Sequence, residues 1–190
     1  MYQKFGKRFL DILLSACGIL VLSPVYLLVA LAIKIDDPGP VFFRQKRVGL
    51  HKSHFQILKF RTMKMETPRD VPTHLLENPE QYITRMGKFL RKTSLDELPQ
   101  LFNVLNGTMS IVGPRPALPR EVELYTEEQK QRMYVTPGLT CYWQIQPKRN
   151  SLSFEKWLEL DLKYIEERSL LVDWKIMFGT ISAVLHMEGE

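Results

Sequence analysis

The chain has 190 residues, 45% apolar and 25% charged, a composition that excludes a disordered segment and suits one domain of ordinary size. Its two cysteines, Cys17 and Cys141, stand far apart, which excludes a disulfide framework or a cysteine metal cluster and fits a reducing compartment. The net charge of +5 is uneven: residues 1–120 carry 18 Lys/Arg against 9 Asp/Glu and residues 121–190 carry 8 against 12, so the front half suits an anionic partner.

The first element is the apolar run Phe9 to Ile35, in which only Asp11 and Lys34 are charged. A run of this length is what a bilayer-inserted helix needs, roughly 20 residues or more. A cleaved signal fits poorly, although "LSAC" (Leu14 to Cys17) resembles a lipoprotein cleavage box. The apolar stretch before it is short and contains Asp11, and the run continues past Cys17. Ser23-Pro24 falls near the middle, and Pro24 kinks or breaks a helix there. Lys4, Lys7 and Arg8 precede the run, and Lys34, Arg44, Lys46 and Arg47 follow it. Both ends therefore favour the cytoplasmic side. A re-entrant helix-break-helix over residues 1–36 satisfies that charge pattern, and a kinked spanning helix is the competing arrangement.

Val41 to Met63 reads as two short strands around a Gly49 turn, a small β-hairpin. Glu66–Glu80, with Pro68, Pro72 and Pro79, reads as a loop. "QYITRMGKFLRK" (Gln81 to Lys92) has helical apolar spacing with Arg85, Lys88, Arg91 and Lys92 on the other face. That pattern fits either a lipid surface or a core helix with a solvated face. Phe154–Ile165 and Trp174–Leu185 repeat the helical spacing. Trp157 and Trp174 fit headgroup level or the core equally. The expected fold is α+β, with the anchor followed by one compact domain over residues 37–190.

Asp96 and Glu97 stand side by side in "SLDELPQ". Ser94 to Glu97 matches a capping box, but Pro99 would then be the fifth helical residue. A helix from near Asp96 to Gly107 avoids that clash and puts both acids at its positive end. Neighbouring helical residues point about 100° apart, so the two acids are expected to divide two tasks, one attacking phosphorus and one holding a cation. Mg²⁺ is the usual oxygen-bound choice beside a phosphate. Arg115, fixed between Pro114 and Pro116, is a stiff phosphate clamp, or else an exposed turn arginine. His51 and His54 lack further metal ligands, and neither a P-loop nor an H-E-x-x-H motif is present. Nothing matches a nucleic-acid-binding motif, so no nucleic-acid partner is expected.

Taken together, "QKRVG" (Gln45–Gly49), "LKFRTM" (Leu58–Met63), "TSLDELPQLFNVLNG", "MSIVGPRP", "TPGLTCYWQ", Arg149-Asn150 and the Ser23-Pro24 hairpin resemble the bacterial sugar transferase family. These are the monotopic phosphoglycosyl transferases that begin polyprenyl-linked glycan assembly. The resemblance implies a bacterial inner-membrane protein with its active site on the cytoplasmic face. It implies that Asp96 attacks the β-phosphate of a UDP-sugar, expels UMP and passes the phosphosugar to polyprenyl phosphate. Glu97 would bind Mg²⁺, and Lys59, Arg115, Arg149 and Asp173 would lie at the substrate; the other reading of Asp173 is a helix acid paired with a nearby cation. Two departures stand out: Pro147-Lys148 where relatives commonly have glycine, and Thr108 where many have Asp, a change expected to alter only a turn. The alternative reading is a non-catalytic membrane-surface module binding anionic lipid or a partner protein, which would not need Asp96.

Overall fold

The structure is a computed structural model that describes residues 2–67, 78–146 and 152–185. The apolar run forms two helices, α1 (Lys7–Val21) and α2 (Ser23–Asp36), bent by 60° at Leu22. Pro24 lies in the first turn of α2, where its missing N–H costs nothing, and Ser23 Oγ caps back onto the Leu20 carbonyl at 2.8 Å. No single helix among the described residues is long and apolar enough to cross a membrane; the bent pair passes that test only jointly.

Helix α1 is inside out. Its only buried residues are Asp11 and Ser15, while Phe9, Leu13, Leu20 and Val21 face outward. The buried Asp11 carboxylate accepts from Ser110 Oγ at 3.0 Å and the Ile111 N–H at 2.8 Å, which pins α1 to the body. Arg8 donates to the Val104 and Leu105 carbonyls at 2.6 and 2.8 Å. At the far end of the pair, Asp36 accepts from the Met86 N–H at 2.8 Å and Asp37 pairs with Arg61. Both ends of the bent pair therefore dock on one body.

The hairpin reading holds. Strands β1 (Phe42–Val48) and β2 (His54–Phe60) are antiparallel, with Phe43 opposite Lys59, Gln45 opposite Ile57 and Arg47 opposite Phe55. Side chains of directly opposed residues share a face, so Arg47, Ile57 and Lys59 lie on one side. The other side carries Phe60, which stacks with Phe42 and meets Tyr26 of α2 at 5.5 Å.

Helix α3 (Arg85–Lys92) begins later than its apolar spacing suggests. Thr84 caps the Gly87 N–H, and Ile83 is held by a bridge to Met63. Gly87 is required there, because an added Cβ would lie 2.0 Å from the Thr62 carbonyl oxygen. Of the loop expected over Glu66–Glu80, residues 68–77 lie outside the described residues.

The expected helix from Asp96 to Gly107 is two elements, which corrects the sequence reading. Leu95–Glu97 is one 3₁₀ turn, and α4 is Gln100–Asn106, ended by Gly107 at φ +90°. Ser94 caps nothing; it sits at φ +56°, turning the chain by a conformation that costs a non-glycine residue about 1 kcal/mol or more. The acids therefore precede a seven-residue helix rather than open it. Thr108 bonds Asn103 and Asn106 within the turn after α4, so its departure from relatives is local.

A second, two-stranded sheet was not foreseen. Strands β3 (Ser110–Val112) and β4 (Gly138–Thr140) pair in parallel. The connection between them contains α5 (Pro119–Glu123) and a 3₁₀ turn at Gln129–Tyr134. Helices α6 (Phe154–Glu167) and α7 (Leu170–Leu185) cover this sheet. Their core joins Val112, Trp143, Tyr164 and Ile176, and Trp157 stacks on Trp143 at 4.9 Å. Trp157 is thus a core residue, whereas Trp174 stacks on the exposed Phe178. Mixed helices and small sheets make the protein α+β, as expected.

Candidate active site

Lys59 projects from β2 and reaches both acids of the 3₁₀ turn. Its Nζ lies 2.6 Å from Glu97 Oε1 and 3.9 Å from Asp96 Oδ2. One lysine thus meets both carboxylates, because the tight turn brings them to the same strand. The turn is fixed against β2 by Asn103 of α4. Its side chain accepts from the Leu58 N–H at 2.9 Å and donates to the Gln56 carbonyl at 2.8 Å, extending β2 where no strand pairs with it. Tyr26 of α2 donates to the Leu98 carbonyl at 2.6 Å, which ties the same turn to the apolar pair.

Beside the acids lies a shallow open cleft. Arg47, Lys59, Glu97, Gln100 and Arg115 form its polar wall, with Ile57 and Leu139 among its apolar contacts. Asp96 is 8% exposed and borders this space through Lys59. Burial opposes ionisation of Glu97, but Lys59 beside it, followed by Arg115 and Arg47, outweighs burial and holds its carboxyl below the usual range. Burial pulls the Arg47 guanidinium down to about 10, and the facing Arg115 adds to the effect. Among the described residues, Arg47 Nε is buried without a hydrogen-bond partner. Three cations thus face two carboxylates around an open space, the charge arrangement of a site for an anionic, phosphorylated ligand.

Arg115 leaves the end of β3 on the Pro114–Pro116 stretch, and its guanidinium lies 5.5 Å from the Trp143 ring centroid. Lys59, Asp96, Glu97 and Arg115 are therefore brought together. Asp173 is not with them. It lies on α7, 2% exposed, and accepts from Tyr2 OH, Lys7 Nζ at 2.6 Å and Tyr164 OH at 2.8 Å, locking the amino terminus onto the carboxy-terminal helices. Arg149, with Pro147 and Lys148, lies outside the described residues. Sequence reasoning did not single out Arg47 and Gln100. The signal for Arg47 was its alternation with Gln45 in "QKRVG", which puts it opposite β2 on the face of Lys59.

These features define a class of site built for phosphate chemistry beside an apolar, bent helix pair. The model of the family described as bacterial sugar transferase matches residues 2–187, and the chain belongs to that family. It is 39% identical to the exopolysaccharide production protein ExoY of Sinorhizobium fredii, over 97% of this chain and 88% of that one. It is 45% identical to the uncharacterized sugar transferase EpsL of Bacillus subtilis, over 96% of this chain and 89% of the relative. It is 44% identical to the UDP-glucose:undecaprenyl-phosphate glucose-1-phosphate transferase of Escherichia coli, over 92% of this chain but only 39% of that longer protein.

Proposed function

We propose that this protein transfers a sugar 1-phosphate from a UDP-sugar to a polyprenyl phosphate, as a membrane step of bacterial exopolysaccharide synthesis. The observation that carries the reading is the convergence of Lys59 on Asp96 and Glu97, with Arg47 and Arg115 in the same cleft, in a chain of this family. In the first half-reaction an Asp96 oxygen attacks the β-phosphorus. The bond from that phosphorus to the bridging oxygen breaks, and UMP leaves with the electron pair. In the second, an oxygen of the polyprenyl phosphate attacks the same phosphorus, and the Asp96 carboxylate is regenerated. Such covalent catalysis gives ping-pong kinetics. Arg47, Lys59 and Arg115 offset the diphosphate charge, the main demand of a phosphoryl-transfer site. Arg149 joins them in this reading by family resemblance, whereas Asp173 ties the amino terminus to α6 and is left out of the site.

The donor set also fits Mg²⁺. Among the described residues no group of three His, Cys, Asp or Glu surrounds a metal, but Mg²⁺ beside phosphates needs only one or two carboxylates. Glu97 is held ionised, and one of its oxygens is not used by Lys59. Glu97 would hold the ion, which supplies further neutralisation of the diphosphate when bound.

The bent pair is read as a re-entrant anchor. Support comes from an outward apolar face that includes Leu20, Val21, Leu27, Leu28 and Ile35, and from the docking of both ends on one body. On this reading the cleft lies at the headgroup plane, where a soluble nucleotide and a lipid-borne phosphate meet.

The test offers UDP-sugars, Mg²⁺ and polyprenyl phosphate and measures UMP. The parent protein releases UMP and, without the lipid, gains the mass of one phosphosugar. Asp96→Asn does neither while keeping its thermal midpoint and its association with vesicles. A surface module without catalytic activity would release no UMP in either form. Parental UMP release by Asp96→Asn overturns the mechanism.

A further inference from the structure

The Pro114–Pro116 stretch that carries Arg115 has every backbone carbonyl engaged. The Gly138 N–H donates to the Pro114 carbonyl at 2.9 Å, Arg132 Nη2 to the Arg115 carbonyl at 2.7 Å, and Arg47 Nη1 to the Pro116 carbonyl at 3.0 Å. The two prolines have no N–H, so the stretch has one backbone donor, that of Arg115. Arg132 and Asp161 form an ion pair with each other, and Arg132 Nη1 also donates to Tyr125 OH at 2.6 Å. Both are deeply buried, Arg132 at 7% exposure and Asp161 at 0%.

A buried ion pair is a poor source of stability, since apolar residues of similar volume often fold as well or better. An apolar pair cannot, however, offer the Arg115 carbonyl a buried donor. We propose that Arg132 and Asp161 are positioning residues: Arg132 holds the Arg115 carbonyl, Asp161 holds Arg132, and together they set where the Arg115 guanidinium meets the substrate diphosphate. Neither residue lines the cleft, and both act only through Arg115. Trp143 limits the side chain beyond the grip, so the backbone position is passed on to the guanidinium. The inference rests on the reading of Arg115 as a phosphate ligand.

The test is a double-mutant cycle on the full chain in detergent, with UDP plus Mg²⁺ as the probe and the dissociation constant as readout. Arg115→Ala weakens UDP binding about tenfold or more, the loss of one well-placed charged contact. Arg132→Lys and Asp161→Asn each weaken it by about the same factor; each also lowers the thermal midpoint, since a buried pair is disturbed on one side only, so binding is read well below both midpoints. In the Arg115→Ala background neither costs anything further, which a purely structural role would not produce. Equal losses with and without Arg115, no loss in the parent background, or failure of both variants to fold would each overturn the positioning role. If Arg115→Ala itself leaves UDP binding unchanged, the phosphate-ligand reading falls and takes this inference with it. A loss for Arg115→Ala with none for the other two overturns the positioning role alone.

Discussion

Gly138→Ala tests the scaffold of the cleft most sharply. A Cβ at position 138 would lie 2.0 Å from the Gly113 nitrogen and 2.6 Å from its Cα and carbonyl oxygen. All three are backbone atoms, so no side-chain rotation relieves the clash, and β3 and β4 must move apart. Forcing one extra carbon into such a contact costs about 1–3 kcal/mol. The separation also strains two bonds, Gly138 N–H to Pro114 and Gly113 N–H to Thr140 at 3.0 Å, each with a net contribution of about 0.5–1.5 kcal/mol. The total is roughly 2–6 kcal/mol, a large share of a typical stability of about 5–15 kcal/mol. For a chain of this size the thermal midpoint falls by about 10 °C, read by tryptophan fluorescence from nearby Trp143. Because Pro114 precedes Arg115, a displacement of about 1 Å there lowers turnover on the order of 100-fold. A variant that melts within about 2 °C of the parent, at parental turnover, would refute the close approach of the two strands.

Other perturbations read the remaining contacts. Glu97 has a folded pKa below its ordinary value, so its contribution to stability is present above about pH 4.5 and is lost as pH falls through the lower folded value. Lys59→Met removes the nearest attraction while burial persists, so a carbon-detected NMR titration should show the Glu97 midpoint moving up; an unmoved midpoint contradicts the assigned cause. Asp11→Ala strands the Ser110 hydroxyl and the Ile111 N–H, about 1–3 kcal/mol for each buried group, and should speed amide exchange across β3; unchanged exchange would mean that α1 is held by its other contacts. Pro24→Ala should reduce the 60° bend, shown by cysteine-accessibility labelling that moves the amino terminus away from the side of the body; in the unmodified protein both termini should label from one side.

The legible features were those whose signal is local. The Pro24 break, the hairpin around Gly49 and the helices rich in spaced apolar residues follow from short-range rules, and Asp96, Glu97, Lys59 and Arg115 were found through their motifs. Contacts between distant parts of the chain left no local trace. Asp11 looked like a stray charge in an apolar run, because its partners Ser110 and Ile111 lie about a hundred residues later. Strands β3 and β4 are three residues each, too short for alternation to register, and their pairing depends on the missing side chains of Gly113 and Gly138. The proline rule correctly rejected Ser94 as a cap. It missed that the chain solves the problem with a left-handed Ser94 and a separate 3₁₀ turn, which gives both acids access to Lys59.

Helix α1, with Asp11 inward and leucines outward, also constrains assembly. On the anchor reading proposed above, protein meets one side of α1 and lipid the other, which suits both the buried Asp11 carboxylate and the outward leucines. The groups that receive Asp11 are synthesised long after it, so on that reading the newborn helix waits at the bilayer surface until β3 emerges. Synthesis in the absence of lipid should therefore yield aggregates rather than a soluble, unanchored enzyme.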